Sequence, residues 1–165
     1  MEDIKVKRRH TIKKSEIVRI KKALKEEIGE EEALFTSKGI EVVETTSDVS
    51  IYLVEKKPVL MAFEDWIFPT VRGAIEHPFT ARRVTVDSGA VPYVMNGADI
   101  MRPGIVAATP DIRKGHPCII AEERYSKPLA VGVALYDAAE LLALEKGKAV
   151  RTVHRVGDLI WNLEL

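Results

Sequence analysis

Glutamine is absent from these 165 residues, and asparagine occurs only at Asn96 and Asn162. Charged residues reach 30%. Few amides beside many ionic side chains is the balance expected of a thermophilic source. Cysteine occurs once, at Cys118, which excludes an internal disulfide and a zinc site built from cysteines alone. A reducing, cytoplasmic setting is the expectation. No stretch approaches the ~20 apolar residues that a membrane span requires. The segment Lys5 to Arg9 contains one apolar residue, Val6, and lacks the apolar core of a signal peptide. The formal net charge is zero, so overall charge gives no pull toward nucleic acid. Charge is unevenly placed, however. Residues 1–25 hold 10 Lys/Arg against 3 Asp/Glu, residues 26–80 hold 4 against 12, and residues 81–165 hold 11 against 10.

What is present reads as two domains, 1–80 and 81–165. In the first, Ile17, Ile20, Leu24 and Ile28 recur at helical spacing, with Ser15 or Thr11 as cap and Gly29 as stop. Strands are expected at 40–44, 49–54 and 59–63, an irregular stretch at 64–69, and a helix from Thr70 to Glu76 ended by His77-Pro78. The basic segment Lys5-Val6-Lys7-Arg8-Arg9-His10, with Lys13 and Lys14, reads as an arm that either touches RNA or simply solubilises the terminus. In the second domain, strand-like runs recur at 83–87, 99–107, 117–122, 128–136, 149–156 and 159–165. Two short helices are expected, one between Gly89 and Gly97 and one from Asp137 to Glu145. The fold class is therefore α+β: an N-terminal mixed α/β domain followed by a six-stranded pseudo-barrel.

The stretch 84–104 is the most distinctive. Val84-Thr85-Val86 stops at Asp87-Ser88-Gly89, and a short amphipathic segment follows with Ala90, Tyr93 and Val94 on one face. Gly97 ends it, and a further run closes at Pro103-Gly104. Val84-x-Val86-Asp87-x-Gly89-Ala90 and Asn96-Gly97-Ala98-Asp99-Ile100-Met101-x-Pro103-Gly104 resemble the signature of the PUA domain, the RNA-binding module of pseudouridine synthases and archaeosine transglycosylases. Lys114-Gly115, Ala130 to Ala134, Lys146 to Val150 and Asp158-x-Ile160-Trp161 continue the resemblance. Phe68-Pro69-Thr70-Val71-Arg72 and His77-Pro78-Phe79 resemble the end of the pre-PUA domain in the translation-machinery-associated family, which includes a human protein first described as amplified in T-cell malignancy. An archaeal-type member is expected to look like this chain.

The resemblance implies a non-enzymatic RNA-binding protein working with the small ribosomal subunit or tRNA, together with an initiation-factor-like partner. It implies RNA contact at Gly89, Ala90, Tyr93, Asn96, Gly97, Ala98, Met101 and Arg102, with Trp161 and Asn162 near the end. Arg83 and Arg151, with Arg82, Arg113, Lys114 and Arg155, extend a basic path suited to phosphate. The architectural alternative gives the glycines to turns and Tyr93 and Met101 to the core. A second function class is an RNA-recognition subunit that accompanies a tRNA- or rRNA-modifying enzyme.

Catalytic chemistry finds no support. His10, His77, His116 and His154 are dispersed, with no i, i+4 pair to hold zinc. Gly147-Lys148 lacks the earlier glycine of a phosphate loop. Cys118 sits among Pro117, Ile119 and Ile120 and reads as a packed small hydrophobe. No catalytic residue, metal or cofactor is expected.

Overall fold

The apolar stripe of the leading helix is matched by a strand before it. In the computed structural model, which describes residues 3–165, β1 (Val6–Thr11) precedes α1 (Lys14–Ile28). The basic segment is therefore no free arm. Its backbone pairs antiparallel with β2 (Ile40–Thr45), and Arg9 binds Glu41 at 2.6 Å while Arg8 binds Glu44. The acidic strand neighbouring it explains why the basic run settles there. Every residue of β1 stays exposed, and a charged edge strand resists further pairing.

Helix α1 buries Ile20, Leu24 and Ile28, and Gly29 ends it at φ 69°. Neither Ser15 nor Thr11 caps it: Lys13 occupies that position without a side-chain bond. A 3-10 turn over Gly29–Glu32 leads into α2 (Ala33–Thr36). Next come β3 (Ser50–Val54), β4 (Lys57–Phe63) and β5 (Trp66–Pro69). Together they form one antiparallel sheet in chain order, β1-β2-β3-β4-β5. The stretch expected to be irregular is thus a strand, because Glu64 at φ 51° makes a tight turn that returns Trp66–Pro69 onto β4. Glu55 and Lys56, at φ 52° and 65°, form the two-residue turn between β3 and β4.

Helix α3 (Val71–Glu76) is fixed to β4 through its cap. Thr70 Oγ1 accepts from Gly73 N at 2.9 Å and donates to the Pro58 carbonyl at 2.7 Å, and Thr70 N donates to Val59 O at 3.1 Å. Phe79 meets Phe35 and Phe68 edge-on, with ring centroids 5.9 and 6.1 Å apart. Phe63, Ile67 and Phe68 are buried.

The chain divides into two compact units, one running to Phe79 and joined by Asn162–Leu165, the other Thr80–Trp161. This grouping differs from a cut after residue 80 by Thr80 and by those last four residues. The second unit holds β6 (Arg83–Val86), α4 (Val91–Met95), β7 (Ile100–Met101), β8 (Ile105–Ala108), β9 (Pro117–Glu122), β10 (Pro128–Ala134), α5 (Ala138–Ala143) and β11 (Lys148–Arg155). Its six strands run β7-β11-β10-β9-β6-β8. All neighbours are antiparallel except β6 and β9. The two edge strands, β7 and β8, are separated in the chain only by a 3-10 turn at Arg102–Gly104, so the sheet curls until its edges nearly meet.

Two expectations change here. The run 99–107 is two strands, because Pro103 has no N–H and the 3-10 turn Arg102–Gly104 in which it sits redirects the chain. Residues 159–165 form turns and coil, since Asp158 draws the backbone into a tight corner instead. The core contains Val84, Val86, Ile100, Ile120, Leu141 and Val150. Cys118 lies wholly inside, and burial pushes its thiol up to about 12, so it packs and does not react.

Candidate nucleic-acid interface

Asp87 builds the turn before α4. Its N–H donates to Gly104 O at 2.9 Å, and its Oδ1 accepts from Ala90 N at 2.9 Å. The first donors of α4 are therefore taken up within the chain, with Val91 N bonding Ser88 O at 3.4 Å. A phosphate seat on that helix start is not what the structure offers. Gly97, at φ 85°, closes α4 by donating to Val94 O at 2.9 Å. A side chain here would be strained and would meet Arg155, whose Nε lies 2.9 Å from the position of a Cβ.

Between α4 and β7 lies a groove of about 400 Å³. Gly89, Ala90, Tyr93 and Met101 line it, joined by Val94, Ile100, Pro103 and Gly104. Tyr93 is 68% exposed and Met101 50% exposed. The architectural alternative, with these two side chains in the core, is not what the structure shows: they stand on the rim, while Val94 and Ile100 supply the core contacts behind them. Close approach does matter at Gly104, where a Cβ would lie 3.0 Å from that of Ala90. Gly89 is different. Its φ is not left-handed, and a Cβ there would meet only Asp87 Oδ1 at 3.4 Å.

The two acids on the groove are occupied. Asp87 serves Ala90 N, and Asp99 accepts from Thr152 N at 2.9 Å and pairs with Lys148 at 2.8 Å. The Lys148 bond holds the Asp99 carboxyl below its usual range. What remains accessible is an apolar slot with an aromatic and a thioether at its mouth.

The other expected contacts fall elsewhere. Asn96, Gly97 and Ala98 lie at the far end of α4, where Ala98 O accepts from Thr152 Oγ1 at 2.8 Å, and they do not line the groove. Arg102 turns inward. Its guanidinium donates to Ile105 O at 2.9 Å and Leu142 O at 3.0 Å, so it braces the turn between β7 and β8. A guanidinium held by two carbonyls is not presented to phosphate. Arg83 opens β6 and donates to Ser126 O at 3.0 Å, and Arg151 is exposed on β11. Trp161 is half-buried beyond β11, its N–H bonded to Asp158 Oδ1 at 2.8 Å. Val94, Ile100 and Pro103 line the groove without being among the expected contacts. The helical spacing of Ala90 and Val94 is a signal that points to Val94, whereas no local pattern points to Ile100 and Pro103.

Asp158 organises the end of β11. It accepts from His154 Nδ1 at 2.9 Å, Arg155 N at 2.9 Å and Trp161 N at 2.8 Å. His154 is 1% exposed, and its Nε2 has no partner among the described residues. Burial works against the Asp158 charge, but the bonds from His154 and the two backbone N–H groups outweigh it, and the carboxyl lies below its ordinary value. Its stabilisation is complete above the unfolded carboxylate pKa near ~4 and drains away as pH falls through the lower folded value. Asp158→Asn should therefore flatten the acid limb of stability, with urea midpoints differing from wild type at pH 7 and converging toward pH 2. A parallel displacement at every pH would contradict this.

Known proteins agree with this geometry. Residues 82–156 match the PUA domain, and residues 8–75 match a domain of unknown function (DUF1947). An uncharacterized protein of Methanocaldococcus jannaschii is 33% identical over 161 residues, covering 98% of this chain and 99% of that protein. Translation machinery-associated protein 20 of Saccharomyces cerevisiae is 27% identical over 132 residues, covering 76% of this chain and 73% of its own length. The chain belongs to the PUA-domain proteins. A crystal structure of a hypothetical protein from Pyrococcus horikoshii superposes on this PUA protein with a TM-score of 0.86 at 35% identity, covering 93% of this chain and 98% of the other. The α+β architecture with a PUA barrel-like sheet is thereby established, and the groove lies within the matched PUA segment.

Proposed function

We propose that this PUA protein binds RNA in the translation apparatus, without chemistry of its own, by seating one unstacked nucleotide in the groove between α4 and β7. The observation that carries the reading is the groove itself: apolar walls, Tyr93 and Met101 exposed at the mouth, and both carboxylates already engaged. A base freed from its stack presents flat apolar faces that suit such a slot, and single-stranded or loop RNA supplies such bases. The name of the yeast relative supports a translational setting. Small-subunit rRNA or tRNA is the RNA class, with an initiation-factor-like protein as the companion. Within the described residues no cluster of metal-ligating side chains accompanies the groove.

Tyr93 tests the reading. It is largely exposed, so Tyr93→Ala should leave the melting temperature unchanged while lowering affinity for single-stranded oligouridine roughly tenfold, within the ~1–3 kcal/mol of one stacked base. Fluorescence anisotropy with labelled oligonucleotide measures this. Equal affinity of variant and wild type would remove the groove from RNA recognition. Co-sedimentation with small ribosomal subunits, compared for the same two proteins, tests the translational setting.

A further inference from the structure

Tyr125 is the most exposed of the large hydrophobic side chains among the described residues, at 80%. It sits in the β9–β10 loop, Glu123 to Lys127, and the chain invests several groups in holding that loop still. The Glu122 carboxylate accepts from the backbone N–H groups of Arg124, Tyr125 and Lys127, and Glu122 N donates to Lys127 O at 3.1 Å. Ser126 takes φ 55°, and its carbonyl is bound by Arg83 at 3.0 Å. The tip is therefore ordered before any ligand arrives, which spares the ordering cost on binding.

The charges divide in a telling way. Glu122 points into the loop to hold its N–H groups, and Glu123 accepts from Ser88 N at 3.4 Å. Arg124 and Lys127 are exposed, and neither forms an ion pair among the described residues. The outer face of the loop thus shows an aromatic ring between two cations. It is also joined to the groove wall: Glu123 N donates to Val86 O at 2.9 Å, next to the Asp87–Gly89 turn that lines the groove.

We infer that the Arg124–Lys127 loop is a second RNA contact, where Tyr125 stacks a base of the single strand that leaves the groove and Arg124 and Lys127 hold its phosphates. The inference rests on the groove reading above. A strand crossing Ser88 from the groove meets this loop next. Alternating aromatic and cationic groups are the pattern that retains single strands regardless of sequence. A protein partner would call for apolar neighbours around the ring, whereas Arg124, Ser126 and Lys127 surround it.

The test uses fluorescein-labelled oligouridines of three and ten nucleotides, the short one filling the groove and the long one reaching the loop. Tyr125→Ala should weaken the ten-mer by roughly fivefold or more and leave the three-mer unchanged, while Tyr125→Phe keeps wild-type affinity. Arg124→Ala with Lys127→Ala should reduce the slope of log affinity against log salt by about 1.4 for the ten-mer, the ~0.7 expected per phosphate contact on a single strand. Gly89→Trp serves as the groove control. If Gly89→Trp weakens both oligonucleotides and Tyr125→Ala weakens neither, the groove reading stands and the loop contact is wrong. If Gly89→Trp weakens neither, the groove reading fails and the continuous path fails with it, whatever Tyr125→Ala does. Equal weakening of three-mer and ten-mer by Tyr125→Ala would also overturn the path. So would lost co-sedimentation with ribosomal subunits at unchanged ten-mer affinity, which would assign the loop to a protein. Failure of the wild-type protein to bind either oligonucleotide would overturn both.

Discussion

Gly73→Ala should lower the melting temperature of the N-terminal unit by roughly 10–20 °C, the response of a small domain to a loss of ~3 kcal/mol. In an exposed helix this change would gain about 1 kcal/mol, because alanine is the better helix former. Here the sign reverses. A Cβ on Gly73 would lie 2.0 Å from the carbonyl oxygen of Val59 and 2.8 Å from its carbon. These are backbone atoms of β4, and Val59 O already accepts from Thr70 N at 3.1 Å. No rotamer change can relieve the clash, so α3 has to lift from β4 and break the Thr70 bonds that fix its start. Overpacking against yielding side chains typically costs ~1–3 kcal/mol, and a rigid carbonyl belongs at or above the upper end. Circular dichroism melts decide the matter. A wild-type melting temperature would mean that α3 slides along the sheet at little cost.

The second large effect is on binding. Gly89→Trp should reduce affinity for single-stranded RNA by the order of a hundredfold, close to the ~3 kcal/mol upper value of a stacked base. Gly89 is exposed, adopts no left-handed φ, and has room for a Cβ. A large side chain at this position enters the groove without disturbing the core. The thermal transition should therefore stay within a few degrees of wild type while anisotropy titrations lose their saturation. Unchanged binding would place the RNA on another face of the barrel.

Periodicity and turn chemistry make much of the architecture legible in the sequence. The α1 stripe, the stop at Gly29, the Thr70 start of α3 and the bracketing of α4 by Gly89 and Gly97 are all readable, because each rests on local physics. The errors share a cause. β1 looks like a solvated arm because its residues are basic and every one is exposed, and only the distant acidic partners Glu41 and Glu44 reveal a strand. Trp66–Pro69 looks irregular because its turn uses a non-glycine residue, Glu64, at positive φ. Residues 159–165 look like a strand by composition, yet Asp158 collects three donors and turns the chain away.

At the site, the segment is legible and the side-chain directions are not. Tyr93 and Met101 face outward although their types suggest packing. Arg102 faces inward although its charge suggests solvent, because two carbonyls, one of them forty residues further along the chain, need a donor. The groove depends on pairings that local patterns do not specify, chiefly β7 with β11.

That pairing has a temporal consequence. The N-terminal sheet is wound in chain order, so each strand finds its neighbour soon after synthesis. β7, which forms one bank of the groove, pairs with Lys148 and Val150 and has no other strand neighbour among the described residues. A growing chain therefore carries the first bank, α4, long before the second is secured. The groove is thus complete only once β11 has been made and has paired with β7.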